Sequence, residues 1–141
     1  MNTVLIAKSD DDIRSCYKVV VQLRPTYSEE AFLNQVKKQM KAGYSLAYIK
    51  SDSSVCAVAG FRYSESLAWG KYLYVDDLIT TDDERSKGYG KFLLGWLKEQ
   101  AKINCCQQLH LDSGVQRKDA HRFYARENML FTSHHYAIEI E

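Results

Sequence analysis

Apolar positions recur along this chain in two rhythms, one of period two and one near 3.6, and their alternation marks out the elements. VLIAK, residues 4–8, is a short apolar run that predicts a strand. Ser9 or Asp10 then caps a helix reaching about Arg24, with Ile13, Cys16, Tyr17, Val20 and Leu23 at helical spacing, and Pro25 ends it. A second helix is predicted from near Ser28 to a stop at Gly43, with Phe32, Val36 and Met40 on its apolar face. Three strands follow, at about 45–51, 55–64 and 71–80, the first two joined by the turn-forming SDSS. The third, KYLYVDDLIT, is apolar on both faces apart from Asp76 and Asp77, as suits a central strand. A helix over about 88–103 presents Tyr89, Phe92, Leu93, Trp96, Leu97 and Ala101 as its buried stripe. QLHLD, 108–112, predicts another strand. A helix follows from about Asp119 to Glu127, stopped by Asn128, and a last strand covers about 132–140.

The order β-α-α-β-β-β-α-β-α-β predicts an α/β fold, a mixed central sheet flanked by helices. One proline and no repeat or low-complexity linker leave 1–141 as a single domain. The composition, 45% hydrophobic and 26% charged, is that of an ordinary globular protein. A net charge of +1 gives no bulk attraction to nucleic acid or an anionic membrane, so any anion site must be local. The longest apolar run, VCAVAGF at 55–61, is far short of the ~20 residues of a membrane helix. The first residues lack a basic segment followed by a long apolar one, which points to the cytoplasm. Cys16, Cys56, Cys105 and Cys106 show no CxxC spacing and are expected to be free thiols. His134 and His135, adjacent on a strand, would point to opposite faces, so no metal site is expected.

The segment RSKGYGKFLL, 85–94, changes the picture. Glycine costs a helix about 1 kcal/mol relative to alanine, yet Gly88 and Gly90 stand where the helix begins. No pair of glycines has Walker A spacing before Lys-Ser or Lys-Thr, and Leu93 stands where a dinucleotide fingerprint needs its third glycine. What remains is a strand, the connection TTDDERSK, and a Gly-x-Gly opening a helix. A helix start of that kind offers unpaired N–H groups to a pyrophosphate, and Arg85, Lys87 and Lys91 add charge.

R-S-K-G-Y-G resembles the Arg/Gln-x-x-Gly-x-Gly/Ala signature of the GCN5-related N-acetyltransferases (GNAT), and the order of elements agrees over essentially the whole chain. QRKDAHRFYAREN, 116–128, resembles the family's following helix, with Tyr124 at a position where tyrosine is common. VQRKDAHRFYARE is also similar to the aminoalkylphosphonate N-acetyltransferases, a likeness confined mainly to that helix. Ser86 stands where the family often has glycine, Asn128-Met129 replaces a common Gly-Phe, and Arg117 stands where many members have asparagine. The resemblance implies acetyl-CoA as cosubstrate, its pyrophosphate on the loop Arg85, Ser86, Lys87, Gly88, Tyr89, Gly90 and Lys91. It also implies that the backbone of Leu78, Ile79 and Thr80 pairs with the pantetheine arm like an added strand. Transfer would be direct, to a primary amine of a small molecule, without an acyl-enzyme. A protein amine as acceptor and a non-catalytic acyl-CoA-binding domain are the alternatives, and family members are often homodimers.

For the chemistry, Tyr124 is the candidate acid for the departing thiolate, since a phenol near pKa ~10 is protonated at neutral pH. Asp76 and Asp77 are the candidate bases; matching DDLIT to the family strand puts Asp77 where many members have a catalytic glutamate. Two carboxylates in an apolar strand are costly to bury without partners or a task. A regular strand turns them to opposite faces, and a bulge would re-aim them. Arg117, Lys118 and Arg122 are a candidate anion patch, His121 a candidate base or surface group. Tyr27 and Tyr44 are candidates for the acceptor pocket or the core.

Overall fold

A computed structural model describes residues 3–81 and 88–140. Its elements are β1 (Val4–Ile6), α1 (Asp10–Ser15), α2 (Tyr17–Leu23), α3 (Glu29–Lys41), β2 (Ser45–Ser51), β3 (Ser54–Ser66), β4 (Gly70–Thr80), α4 (Tyr89–Ile103), β5 (Gln108–Leu111) and α5 (Lys118–Arg126). The sheet runs β1-β2-β3-β4-β5, with β1 to β4 antiparallel and β5 reached through α4. The mixed α/β architecture expected from the sequence is therefore present. By its internal contacts the chain divides into a larger unit up to His110 and a smaller one from Leu111.

Within the larger unit each face of the sheet is covered. On one face Ile13, Val19, Phe32, Leu33 and Val36 from α1 to α3 pack with Leu46, Val58 and Ile79. On the other, the Trp96 ring of α4 meets Phe61 edge-on at 5.7 Å, beside buried Leu93, Leu94 and Leu97. Burying a side chain of that size contributes about 1.5–3 kcal/mol, so these two layers dominate the larger unit's stability. Leu94 takes the buried position expected of Phe92, which is 41% exposed.

The helix starts follow the capping residues. Ser9 and Asp12 form a capping box at α1, and the Ser28 hydroxyl accepts the Ala31 N–H at α3. The single helix expected to run to Arg24 is instead two, divided at Cys16. There the bonds tighten to three-residue spacing, Cys16 N–H to Ile13 C=O at 3.0 Å and Val19 N–H to Cys16 C=O at 3.2 Å. Ile13, Cys16 and Val19 recur every three residues, and the tightened turn keeps all three buried.

The strand expected over 132–140 is not formed: the described residues from Met129 onward carry no regular structure. An alternating pattern states which face of a strand is apolar but does not supply the hydrogen-bonded neighbour that a strand requires.

Candidate active site

The two aspartates of β4 owe their direction to an irregularity in the ladder. Gly60 pairs with Asp77 and Phe61 with Val75, so Asp76 is an extra residue with no register partner on β3. This bulge cancels the alternation of faces. Asp76 and Asp77 accordingly line the same cleft, a space of about 420 Å³ between α2, α3 and the sheet. Of the two geometries left open by the sequence, the bulged one is found.

Each carboxylate has its own arginine. Asp77 Oδ1 accepts from Arg24 Nε at 3.0 Å, and its Oδ2 accepts from the Tyr44 hydroxyl at 2.7 Å. Arg24 Nη2 also donates to the Asp76 carbonyl at 3.0 Å, so one guanidinium bridges both residues. The Asp76 carboxylate is gripped by Arg62 through Nε at 2.9 Å and Nη2 at 3.3 Å. The Arg62 guanidinium lies 4.7 Å over the Tyr74 ring. These partners offset the cost of drawing two charges into an apolar wall, where the Asp77 side chain is only 15% exposed. Burial, and then the Asp77 charge, push the Tyr44 phenol well above its ordinary value, so it stays a donor.

Gly60 makes this contact possible. A Cβ there would overlap the Tyr44 hydroxyl and stand 2.7 Å from Asp77 Oδ2. Beyond the charges, Val20, Phe32 and Val36 give the cleft an apolar wall, and Gln35 and Gln39 give it polar groups. Tyr27 is also at its edge, its carbonyl accepting from the Tyr17 hydroxyl at 2.6 Å.

The glycine loop is described from Gly88 onward; Arg85, Ser86 and Lys87 lie outside the described residues. Gly88 is the N-cap of α4 and has φ of 81°, a left-handed conformation that side chains other than glycine adopt at a cost. Where α1 and α3 begin under a serine hydroxyl, no side chain among the described residues caps α4. A helix start whose N-cap residue makes no side-chain bond is of the kind that fits a pyrophosphate, against the first-turn N–H groups of Tyr89, Gly90 and Lys91. Just before this loop, Leu78, Ile79 and Thr80 are held against Ala59, Val58 and Ala57 of β3.

In the smaller unit, α5 carries Tyr124 and closes at Asn128, whose φ of 66° is the left-handed stop expected there. Burial raises the Tyr124 phenol above its ordinary value, against the opposing charge of Arg117. His121 Nε2 donates to the Gly114 carbonyl at 2.8 Å, and Arg122 pairs with Asp119 one turn back, so both have local structural roles.

Sequence reasoning placed Asp76, Asp77 and Tyr44 as candidates but missed Arg24, Gly60, Arg62, Gln35 and Gln39. Arg24 reads as the end of a helix, 53 positions from the aspartate it meets. Arg62 left a usable signal: a charge directly after the apolar run VCAVAGF, 55–61, within the same strand. Among the described residues no cluster of His, Cys, Asp and Glu is arranged to hold a metal ion, and no helix is long and apolar enough to cross a membrane.

Comparison with known proteins converges on one family. The model of the acetyltransferase (GNAT) family matches residues 10–128. The uncharacterized N-acetyltransferase YhdJ of Bacillus subtilis is 34% identical over 129 residues, covering 91% of this chain and 90% of that protein. The aminoalkylphosphonate N-acetyltransferase of Salmonella typhimurium is 34% identical over 53 residues, covering 38% of this chain and 34% of that protein. Among solved structures, an aminoglycoside N-acetyltransferase in complex with a bisubstrate analogue of CoA and acetylneamine superposes with a TM-score of 0.85 at 11% identity, covering 100% of this chain and 99% of that one.

Proposed function

The chain belongs to the GNAT acetyltransferase family, and from that premise we propose that it moves the acetyl group of acetyl-CoA directly onto a primary amine of a small molecule. The observation that carries this reading is the paired orientation of Asp76 and Asp77 into one cleft, on the strand that precedes α4 and its glycine N-cap, Gly88. A cleft of about 420 Å³ suits a small acceptor, in the range of small-molecule sites. The family match at 10–128 spans both units, which supports reading the chain as a single acetyltransferase domain. Cys16, Cys105 and Cys106 are free thiols, which supports a reducing, cytoplasmic setting.

In the proposed reaction the amine nitrogen attacks the thioester carbonyl and loses a proton to Asp77, directly or through water. Asp77 has lone pairs beyond the one that accepts from Tyr44, so it can take a proton while Tyr44 holds it in place. The carbon–sulfur bond then breaks, and Tyr124 gives its proton to the departing thiolate. Its raised phenol, neutral at physiological pH, supports that role. The N–H groups at the start of α4 hold the pyrophosphate, with Leu78, Ile79 and Thr80 beside the pantetheine arm.

Initial velocities measured against both substrates test the mechanism. Direct transfer gives intersecting reciprocal plots; parallel plots, the mark of an acyl-enzyme, would refute it.

A further inference from the structure

The cleft already contains a cation where an amine must go. Asp77 Oδ1 and the Asp76 carbonyl form a pair of acceptors side by side, and both are taken by Arg24, at 3.0 Å each. Such a pair suits an ammonium equally well, since an ammonium needs only oxygens around a compact charge. Arg24 is 46% exposed and stands at the end of α2, before Pro25, so its side chain can leave without unpacking the core. Arg62, by contrast, is fixed to Asp76 by two bonds and to Tyr74 by its face.

Charge balance narrows the acceptor further. The described lining residues contribute two carboxylates, Asp76 and Asp77, and two guanidiniums, Arg24 and Arg62. A bare ammonium entering this neutral set would leave an unpaired positive charge in a partly apolar space, which is unfavourable. An acceptor bearing an anionic group as well as its amine would keep the balance.

Resting on the acetyltransferase reading above, we propose that Arg24 is the specificity-determining residue. Its guanidinium occupies the ammonium position in the free protein, is displaced by the acceptor's amine, and then pairs with an anionic group on the same acceptor. The substrate class that follows is a small zwitterionic amine, its amine and its carboxylate or phosphate a few bonds apart.

The test compares binding of 3-aminopropanoate and phosphoethanolamine with binding of propylamine, followed by NMR titration without cosubstrate. The wild type is expected to bind the two zwitterions about ten-fold more tightly than propylamine, as befits one charge-assisted pair. Arg24→Gln should abolish the preference: propylamine tightens several-fold as its competitor disappears, while the zwitterions share that gain but lose the ten-fold pair, so the ratio falls to about one. Arg24→Lys, which keeps the charge but loses the fork, should fall between. An unchanged ratio in Arg24→Gln would overturn the proposal. So would equal weakening of all three ligands, the sign that Arg24 merely supports the cleft, or failure of the zwitterions to bind the wild type. Because binding is read without transfer, absence of acetylated product would count against the acetyltransferase reading instead.

Discussion

Gly60 and Asp77 stand opposite each other across β3 and β4, and the Cβ that any other residue would bring to position 60 lies 2.7 Å from Asp77 Oδ2 and overlaps the Tyr44 hydroxyl. The bare backbone at 60 is what lets a phenol from the start of β2 reach the carboxylate on β4. Gly60→Ala should therefore expel the Tyr44 hydroxyl. Overpacking of this kind costs about 1–3 kcal/mol. We expect a lower melting temperature together with a loss of turnover larger than that of Tyr44→Phe, which removes the bond but leaves the space. Full activity in Gly60→Ala would show that the Tyr44–Asp77 contact is dispensable.

The cofactor loop makes a separate prediction. Valine is a better helix former than glycine, so Gly90→Val should leave α4 folded. Its side chain would crowd the N–H groups offered to the pyrophosphate. Affinity for acetyl-CoA, measured by calorimetry, should fall ten-fold or more with the circular dichroism unchanged. Undiminished affinity would place the phosphates elsewhere.

Tyr124→Phe keeps the ring and its packing and removes the proton. Turnover should drop by about 10²-fold, the lower range for a general acid, with little change in melting temperature. The sign of the pH effect follows from burial: a phenol held above its ordinary value of 10.0 stays protonated through neutral and mildly alkaline pH. In the wild type the alkaline fall in turnover due to Tyr124 should thus be centred above the ordinary phenol value of 10.0, and it should vanish in the phenylalanine variant.

Stability in acid should depend on the cap of α1. The backbone N–H groups of Lys8 and then Ser9 hold the Asp12 carboxyl below its ordinary value of 3.8. A lowered carboxyl contributes stability that is fully present above the unfolded value and is lost as pH falls through the folded one. Asp12→Ala should cost about 1 kcal/mol at neutral pH, as for a lost cap, and should flatten the decline of stability below pH 4. Thermal melts at pH 7 and pH 3 measure both.

Much of this architecture was legible because it is local. Ser9, Ser28, Gly43 and Asn128 announce their helix ends through bonds to neighbours a few residues away, and the apolar stripes name most of the buried face. The site was half legible. Asp76 and Asp77 stand out as charges in an apolar strand, but their common direction depends on a bulge set by pairing with Gly60 and Phe61, which no local pattern records. Arg24 and Tyr44 reach Asp77 from 53 and 33 positions away, so their partnership belongs to the tertiary fold. The break at Cys16 and the missing last strand have the same origin: one answers to core packing, the other to a ladder partner.

The most direct test of the account is the identity and yield of products when the protein, acetyl-CoA and a panel of small amines are incubated and analysed by mass spectrometry. The same assay is run on Asp77→Asn and Asp76→Asn. The wild type should yield an amine heavier by one acetyl group, with an equivalent of free CoA thiol. Asp77→Asn should nearly abolish that product at neutral pH and recover partly at higher pH, as free amine accumulates. Because the bulge turns both carboxylates into the cleft, Asp76→Asn should also lose activity, but less, since Arg62 occupies its carboxylate. No acetylated amine from the wild type, or full yield from Asp77→Asn, would contradict the account.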